Sequence, residues 1–341
     1  MLDKNQNQDR LSVYFKICAS ATGITYLLIF LGGLVRVSGA GLGCPDWPKC
    51  YGLWIPPISL DQLPAGYDPS TFNATLTWIE YINRLFGVLT GFFILAVFYY
   101  TIRYFRSKKN YVIFSLLSLI LVIFQGWLGK VVVDSDLEPV IVTLHLIFAI
   151  LIVSILLGLT IVVWKDKVGN LKFINLEGIN NHTILLPIRL LIVIWIISFI
   201  QLVLGTQVRE QIEHLSIKYP LLEDVHKVDL MGNIGHIHGY LGVFTALLTY
   251  SFVYLVLIKL NNVSHEIKKL AVVFGILITV QVFVGVSLVK IGLPEILKLF
   301  HQWIATLFLG VLLILFLLLK SKGGVVEGKD GYHHSLRSTG L

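Results

Sequence analysis

The segment His236–Tyr250 reads HIHGYLGVFTALLTY, and it places His238 at the start of an apolar stretch that contains no charged residue. An earlier part of the chain has the same design. Reading from Asn83, the sequence is NRLFGVLTGFFIL, and reading from His238 it is HGYLGVFTALLTY, so that a glycine, a valine and a threonine match. Self-similarity over half a chain is typical of a duplicated structural unit. We therefore interpret the chain as two related halves.

Further segments repeat between the two halves, and histidine is among the residues that recur. The matched pairs are Gln125-x-x-x-Gly129 with Gln281-x-x-x-Gly285, His145-x-x-x-Ala149 with His301-x-x-x-Ala305, and Leu31–Arg36 with Leu204–Arg209. The first two pairs have the same spacing along the chain. The repeat thus brings histidine to equivalent places in both halves.

The composition indicates an integral membrane protein. The chain has 341 residues, of which 56% are hydrophobic and 14% charged, and the hydrophobic residues fall in runs. A helix needs roughly 20 residues to cross the hydrocarbon layer of a bilayer. Barrel strands are about half as long and alternate in polarity, so these longer runs predict helices. The predicted spans are 15–36, 79–101, 111–133, 140–164, 187–208, 236–259, 268–290 and 298–319.

The eight spans predict an all-α membrane protein built as two repeated four-helix bundles. The predicted divisions are a cytoplasmic N-terminal segment 1–14, a first half 15–164, a cytoplasmic linker 165–186, a second half 187–319 and a cytoplasmic tail 320–341.

Basic residues predict the orientation of the chain. Lys and Arg are concentrated in the segments on one side of the spans, for example at Arg103, Arg106, Lys108 and Lys109. Such segments remain in the cytoplasm. We therefore expect a multi-pass protein of the bacterial inner membrane with both termini in the cytoplasm. The net charge of +7 is explained by this topology and gives no reason to expect nucleic-acid binding. The first span lacks a small-residue cleavage site, so we expect it to be retained.

Two of the three cysteines, Cys44 and Cys50, fall in the first outer loop, GAGLGCPDWPKC. The outer side of most bacterial membranes is oxidising, which favours a disulfide across this short loop. The alternatives are two free thiols, or a metal site that lacks other ligands. Cys18 lies within a span and is expected to serve in packing.

Three histidines, His145, His238 and His301, lie near the outer ends of even-numbered spans and therefore at one depth. His238 and His301 belong to one four-helix unit, and a pair of neutral imidazoles across a bundle core is a recurrent way to hold haem iron. A single membrane histidine is more often a packing or hydrogen-bonding group, whereas two at equivalent places favour ligands. Zinc would need further donors at this depth. His236 competes with His238, and the register of the repeat selects His238 because it aligns with Asn83.

Charged residues near the outer ends of the spans have two interpretations each. Arg36 and Arg209 fall where haem propionates would point, as does Arg84, and Arg suits bidentate carboxylate binding. The alternative for these residues is interfacial anchoring. Glu80 and Arg84 are four residues apart, which predicts an ion pair on one helix face. Ionisable groups at the edge of a span are costly, so a functional role for Glu80 is the other interpretation.

Four segments together closely resemble the haem A synthase family. They are GLVRVSGAGLGCPDWPKC at 33–50, EYINR at 80–84, GTQVRE at 205–210 and His301-Gln302. The resemblance extends over all eight spans. It implies oxidation of a ring methyl group of haem O to a formyl group, which gives haem A for cytochrome oxidase.

The resemblance also implies how the two halves differ. The second half would hold a haem b on His238 and His301, and the first half would receive the substrate haem O close to Glu80 and His145. The implied partners are haem O, an electron donor that the sequence does not identify, the haem O-producing enzyme, cytochrome oxidase assembly factors and the lipid bilayer. The resemblance implies no nucleic-acid partner.

Two positions depart from the family pattern, which has His at the place of Asn83 and Arg at the place of Gly239. Because Asn is a poor iron ligand, the first-half site has at most one protein ligand, His145. An open axial position is what oxygen chemistry requires. We hypothesise that His145 holds haem O, that Asn83 lies near the open face, and that Glu80 handles protons.

Two other classes of protein are compatible with parts of the pattern. A non-catalytic haem-b electron carrier, or a haem-handling oxidase assembly factor, would also need the histidines, and Asn83 would then record a loss of activity. A transporter built from duplicated units would have its polar groups nearer the membrane midplane than these residues are.

Overall fold

The computed structural model describes residues 2–169, 181–260 and 263–320. In this part of the chain the fold is all α-helical, as the sequence predicts. The helices are α1 (Leu2–Val37), α2 (Ala74–Tyr104), α3 (Lys109–Asp134), α4 (Pro139–Val168), α5 (Asn181–Lys218), the short α6 (Asp224–Asp229), α7 (Asn233–Tyr254, continued by a π turn over Leu255–Lys259), α8 (His265–Ile291) and α9 (Glu295–Lys320).

Side-chain caps mark several of the helix starts. Asn73 accepts the backbone N–H of Leu76 at the start of α2, and Glu138 accepts that of Ile141 at the start of α4, where Pro139 is the first helical residue. These contacts satisfy N–H groups that have no partner within the helix. Gly292, with φ of 85°, ends α8 in the left-handed conformation that glycine favours. These residues therefore fix where α2 and α4 begin and where α8 ends.

Eight of the described helices are long and apolar enough to cross a membrane, which confirms the predicted spans. Each helix extends beyond the corresponding hydrophobic run, because helical hydrogen bonding does not end at the hydrocarbon boundary. The largest difference is at the N-terminus, where the polar segment is already helical from Leu2 and buries Leu11 and Tyr14. Half of the predicted linker, residues 170–180, and nearly all of the predicted tail, residues 321–341, lie outside the described residues.

The helix contacts define two groups of four. In the first, α1 packs on α2 and α4, and α3 packs on α2 and α4. In the second, α5 packs on α7 and α9, and α8 packs on α7 and α9. The helices that carry the candidate ligands, α2 with α4 and α7 with α9, therefore lie diagonally across their groups. The two groups meet where α9 packs on α1 and α4.

The close-packed core of each group lies away from the side that carries residues 38–73, which we call the outer side. In the first group this core includes Tyr14, Val97 and Leu156, and in the second it includes Phe252 and Phe308. On α2, α4, α7 and α9, the core residues follow the candidate ligands in the chain by at least a full helical turn. The inner ends are thus filled by side chains, and the polar positions lie at the outer ends.

Candidate functional site

His238 of α7 and His301 of α9 face each other across the second helix group. Their ring centroids are 6.3 Å apart with an interplanar angle of 64°. Two imidazole nitrogens that each lie about 2 Å from one metal ion, on opposite sides of it, put the ring centroids roughly 6 Å apart. The observed separation is therefore that of two ligands with room for one metal ion between them.

A glycine on a neighbouring helix makes room for each ring. A Cβ atom added at Gly205 of α5 would lie 3.3 Å from Cε1 of His238, and one added at Gly285 of α8 would lie 3.0 Å from Cε1 of His301. Both distances are tighter than ordinary carbon contacts, so any larger side chain would displace the imidazole. The two glycines therefore set the position of the rings.

The first helix group has the same plan with one histidine. A Cβ atom added at Gly129 of α3 would lie 3.6 Å from Cε1 of His145, and one added at Gly32 of α1 would lie 3.9 Å from Oδ1 of Asn83. The Oδ1 atom of Asn83 is buried and has no hydrogen-bond partner among the described residues. Asn83 thus occupies, relative to its glycine, the place that a histidine has at the other three positions.

Glutamines contact all three histidines. Nε2 of Gln125 donates to the backbone oxygen of His145, and Nε2 of Gln201 donates to that of His238, both over 2.9 Å. Nε2 of Gln281 lies 3.3 Å from Nε2 of His301. Gln125 and Gln281 stand out in the sequence through the half-chain repeat, whereas Gln201 was not predicted to belong to the site. The signal was present, because Gln201-x-x-x-Gly205 has the same spacing as the other two Gln-Gly pairs.

Glu80 and Arg84 form the predicted ion pair, and both are largely buried. Oε1 of Glu80 accepts from the Arg84 guanidinium, and Oε2 accepts the backbone N–H of Cys44 over 2.8 Å. Arg84 also donates to the backbone oxygens of Asp46 (2.7 Å) and Lys49 (2.9 Å). The pair therefore attaches the outer loop 38–73 to α2, a role that the sequence did not reveal.

The outer loop is compact where it meets α2. Cys44 and Cys50 are buried and have Cα atoms 4.8 Å apart, within the range for a disulfide. Asp46 accepts the backbone N–H groups of Tyr51 (2.6 Å) and Gly52 (2.9 Å). A Cβ atom added at Gly43 would lie 2.6 Å from the backbone oxygen of Leu76, so only glycine permits this close approach of loop and helix. Later in the loop, shortly before α2 begins, Asp68 accepts hydrogen bonds from the backbone N–H and the hydroxyl of Ser70, and these bonds lower the pKa of its carboxyl group.

Arg36 and Arg209 come together where the outer ends of α1 and α5 meet. Nη2 of Arg36 contacts Oε2 of Glu213 at 2.6 Å, and Nη2 of Arg209 donates to the backbone oxygen of Arg36 over 2.9 Å. Nε of Arg36 is buried without a partner in the described part of the chain. The two arginines thus connect the helix groups. His236 is exposed and stacks on Tyr240, whereas His238, the histidine that the repeat register selects, faces His301.

The side chains fit a haem better than a bare metal ion. Across residues 2–169, 181–260 and 263–320, no three His, Cys, Asp or Glu side chains are grouped so that they could hold a metal ion. Two histidines supply only two ligands, and haem iron takes its other four from the macrocycle. The Nδ1 atoms of His145, His238 and His301 are buried without partners within these ranges, so each ring has an unsatisfied polar atom.

Residues 16–313, most of the chain, match the family described as cytochrome oxidase assembly protein (COX15-CtaA). The chain belongs to this family. The match reaches into all eight spans, ends within the eighth and includes every candidate ligand, so it extends over both helix groups.

Several proteins named haem A synthase are similar to the chain. A haem A synthase of Shewanella oneidensis is 32% identical over 39% of the chain and 40% of its own length. One of Ehrlichia canis is 30% identical over 57% of the chain and 60% of its own length. One of Orientia tsutsugamushi is 27% identical over 86% of the chain and 93% of its own length. The first two matches cover less than two thirds of those relatives, whereas the third is nearly end to end.

Proposed function

We propose that the protein is a haem A synthase, which oxidises a ring methyl group of haem O to a formyl group to give haem A for cytochrome oxidase. The observation that carries the proposal is the facing pair His238 and His301, 6.3 Å apart, in a chain of this family. The names of the relatives support the same activity.

In the second helix group, His238 and His301 are proposed to hold a haem b through their ring nitrogens. Haem b supplies one-electron redox chemistry when it is bound. The packed core below the two rings, which includes Phe252 and Phe308, would keep water from the inner face of the site. Electrons from an external donor would enter through this group.

In the first helix group, His145 is proposed to hold the substrate haem O, and Asn83 to face the opposite side. Asn83 has a buried oxygen that needs a hydrogen-bond donor, and a bound substrate or water would provide one. The asymmetry between the two groups, two histidines against one, supports different roles for them. The substrate site would thus be the one in the first group, where a single histidine leaves one coordination position of the iron without a protein ligand.

Glu80 is proposed to take up and release protons at the outer end of the first group. Its carboxylate is buried beside Arg84 and is one helical turn from Asn83. Arg84 would hold it in place, and the same ion pair would keep the outer loop over the site. Proton transfer and attachment of the loop can be examined by substitution, because Gln keeps the size of Glu and one of its two acceptor oxygens but does not titrate.

The remaining assignments concern the surroundings of the two sites. Arg36 and Arg209 are proposed to hold propionate carboxylates, for which the unpartnered Nε of Arg36 is available. The same role was expected of Arg84, but its N–H donors are taken by Glu80 and by the backbone oxygens of Cys44, Asp46 and Lys49. Cys44 and Cys50 are proposed to form a disulfide on the oxidising side of the bacterial inner membrane, with both termini in the cytoplasm. The haem O-producing enzyme and cytochrome oxidase assembly factors are the proposed protein partners.

The decisive experiment is to express the chain in a host that accumulates haem O, extract the membrane haems and separate them by chromatography. We expect haem A to appear, and the purified protein to show the absorption spectrum of a bis-histidine haem b. His145→Ala should abolish haem A while leaving that spectrum intact. Haem O left unconverted by the wild-type protein, with a suitable reductant present, would reject the synthase.

Two variants of Glu80 separate proton transfer from attachment of the outer loop. Glu80→Ala should abolish haem A, and so should Glu80→Gln, although the amide oxygen of the glutamine can still accept the N–H of Cys44. The second-group haem signal should persist in both. A normal yield of haem A from Glu80→Gln would show that Glu80 only holds the loop.

The second candidate function is a non-catalytic electron carrier or assembly factor, and Asn83 favours it because the family has His there. The matched test is Asn83→His. If the wild type makes no haem A and Asn83→His does, the chain has lost the activity by this one change. If the wild type is active, Asn83 is compatible with turnover.

A further inference from the structure

A glutamine accompanies each histidine in the interior of the helix groups. Gln-x-x-x-Gly occurs at Gln125, Gln201 and Gln281, on α3, α5 and α8, and the glycine of each motif lies against the ring of one histidine. The amide nitrogen of each glutamine contacts that same histidine, twice at the backbone oxygen and once at the ring. The three contacts come from three different helix pairs, so they are three separate observations of one arrangement.

The fourth position of the repeat provides an internal control. Leu28-x-x-x-Gly32 on α1 is the counterpart of Gln201-x-x-x-Gly205 on α5, and Gly32 lies near Asn83 as Gly205 lies near His238. At this position the histidine is absent, and the glutamine is absent as well. Among the four repeat positions, glutamine is therefore found only beside a histidine, which indicates a role toward the imidazole rather than toward packing of the helices.

Each glutamine and its histidine leave complementary atoms unsatisfied. Oε1 of Gln125, Gln201 and Gln281 is buried without a partner in the described chain, and so is Nδ1 of the adjoining His145, His238 and His301. A buried polar atom without a partner destabilises the folded protein, because it has lost its hydrogen bonds to water. When Nε2 of a histidine binds a metal, Nδ1 carries the hydrogen and needs an acceptor. The amide oxygen of the neighbouring glutamine is such an acceptor.

We propose that Gln125, Gln201 and Gln281 are positioning residues for the three histidines, each accepting the Nδ1–H of its histidine through Oε1 when Nε2 holds iron. A reorientation of the ring and the amide that brings Oε1 to Nδ1–H would satisfy both unpartnered atoms of each pair. For Gln281 this reorientation also removes its amide nitrogen from Nε2 of His301, where it competes with the metal. The inference rests on the proposed haem sites.

The proposed hydrogen bond has a measurable consequence for the second helix group. An acceptor on Nδ1–H makes the imidazole a stronger donor of electron density to iron, which stabilises the oxidised state and lowers the reduction potential. Removing the acceptor should raise the potential, whereas a carboxylate in its place should hold or lower it. A role in packing alone would not produce shifts that depend on the acceptor.

The test is a potentiometric titration of haem b in the purified full-length protein, monitored by its absorption spectrum. We expect Gln281→Leu to raise the midpoint potential and Gln281→Glu to leave it at or below the wild-type value. Gln201→Leu and Gln201→Glu test the other ligand in the same way. Gln302→Leu is the matched control, because Gln302 adjoins His301 in the chain but lies against Gly33 of α1. The midpoint potential of haem b in this variant should equal that of the wild type.

The outcomes separate this inference from the proposed function. A wild-type potential in both Leu variants, or equal shifts in the Leu and Glu variants, would overturn the inference alone. Loss of haem from the Glu variants would overturn it as well, since they retain an acceptor. A wild-type protein that contains no haem would overturn the proposed function, and this inference with it.

Discussion

At the scale of single residues, the imidazoles of His238 and His301 each pack against a glycine where a larger side chain would be too close. In Gly285→Ala the new methyl group would lie 3.0 Å from Cε1 of His301. Overpacking of this kind costs about 1–3 kcal/mol, and here it displaces a ligand. We expect haem b content per protein, measured by absorption, to fall several-fold. Gly126→Ala is the control, because a Cβ atom there meets no described atom within 4 Å, and a similar loss in both variants would contradict the explanation.

The candidate haem ligands stand out in the sequence, whereas the residues that contact them are harder to predict. His145, His238 and His301 stand out because ionisable groups are rare in spans. Gln201 does not, since a single glutamine near the end of a span has no distinctive chemistry until its contact with His238 is known. The attachment of Glu80 to Cys44 depends on how a loop of irregular structure folds back, which no periodicity in the sequence encodes.

At the scale of elements, the outer loop and α2 behave as one unit because Gly43 allows their backbones to touch. Gly43→Ala places a methyl group 2.6 Å from the backbone oxygen of Leu76, and a backbone cannot move aside as a side chain can. We expect a loss of at least about 1–3 kcal/mol in unfolding free energy and faster cleavage of loop 38–73 by added protease. Gly87→Ala, within α2 but in open space, should be cleaved at the wild-type rate.

The guanidinium of Arg84 is the second connection between this loop and α2. Arg84→Lys keeps the charge but cannot reach Glu80 and the backbone oxygens of Asp46 and Lys49 together, since an ammonium lacks the planar fork of donors. Removing one partner of a buried ion pair costs about 3–5 kcal/mol, and this milder change should cost less. Thermal unfolding in detergent should show a lower midpoint for Arg84→Lys than for Arg103→Lys, and equal midpoints would refute the connection.

At the scale of the whole molecule, the two helix groups interlock where α1 crosses α9. A Cβ atom at Gly310 would lie 2.1 Å from the hydroxyl oxygen of Tyr26 and 3.2 Å from its Cζ. Gly310→Ala should therefore lower the unfolding midpoint, by an overpacking cost of about 1–3 kcal/mol. Adding Tyr26→Phe removes the nearest atom and should restore most of the loss. If the effects of Gly310→Ala and Tyr26→Phe on the unfolding midpoint are additive, the strain lies elsewhere.

The orientation of the molecule can be tested with single cysteines, because the native Cys18, Cys44 and Cys50 are all buried. Ser107 lies between α2 and α3, and Ser135 follows α3 at its other end. In intact cells, a membrane-impermeant maleimide should label Ser135→Cys, and it should label Ser107→Cys only after permeabilisation. The opposite pattern would place the termini outside.

The overall fold was more predictable than its assembly. Eight hydrophobic runs of sufficient length predict eight spans, because a bilayer leaves the backbone few alternatives to a helix. The contact between the two groups depends on shape, as in the fit of Tyr26 against Gly310, and apolar composition does not specify which helices meet. Arg36 and Arg209 were singled out for their charge, yet their contact across the groups was not predicted.

The crossing of α1 and α9 also bears on how the protein is made. Trp303 of α9 donates to the backbone oxygen of Tyr26 in α1, a contact that spans 277 positions of the chain. The first span is therefore inserted into the membrane long before α9 is synthesised. Until then, the face of α1 that packs on α9 contacts lipid or an insertase. Because α9 also carries His301, one of the two proposed haem ligands of the second helix group, a haem added before α9 is made would meet at most one of them. A haem can therefore be bound by both His238 and His301 only after α9 has been synthesised.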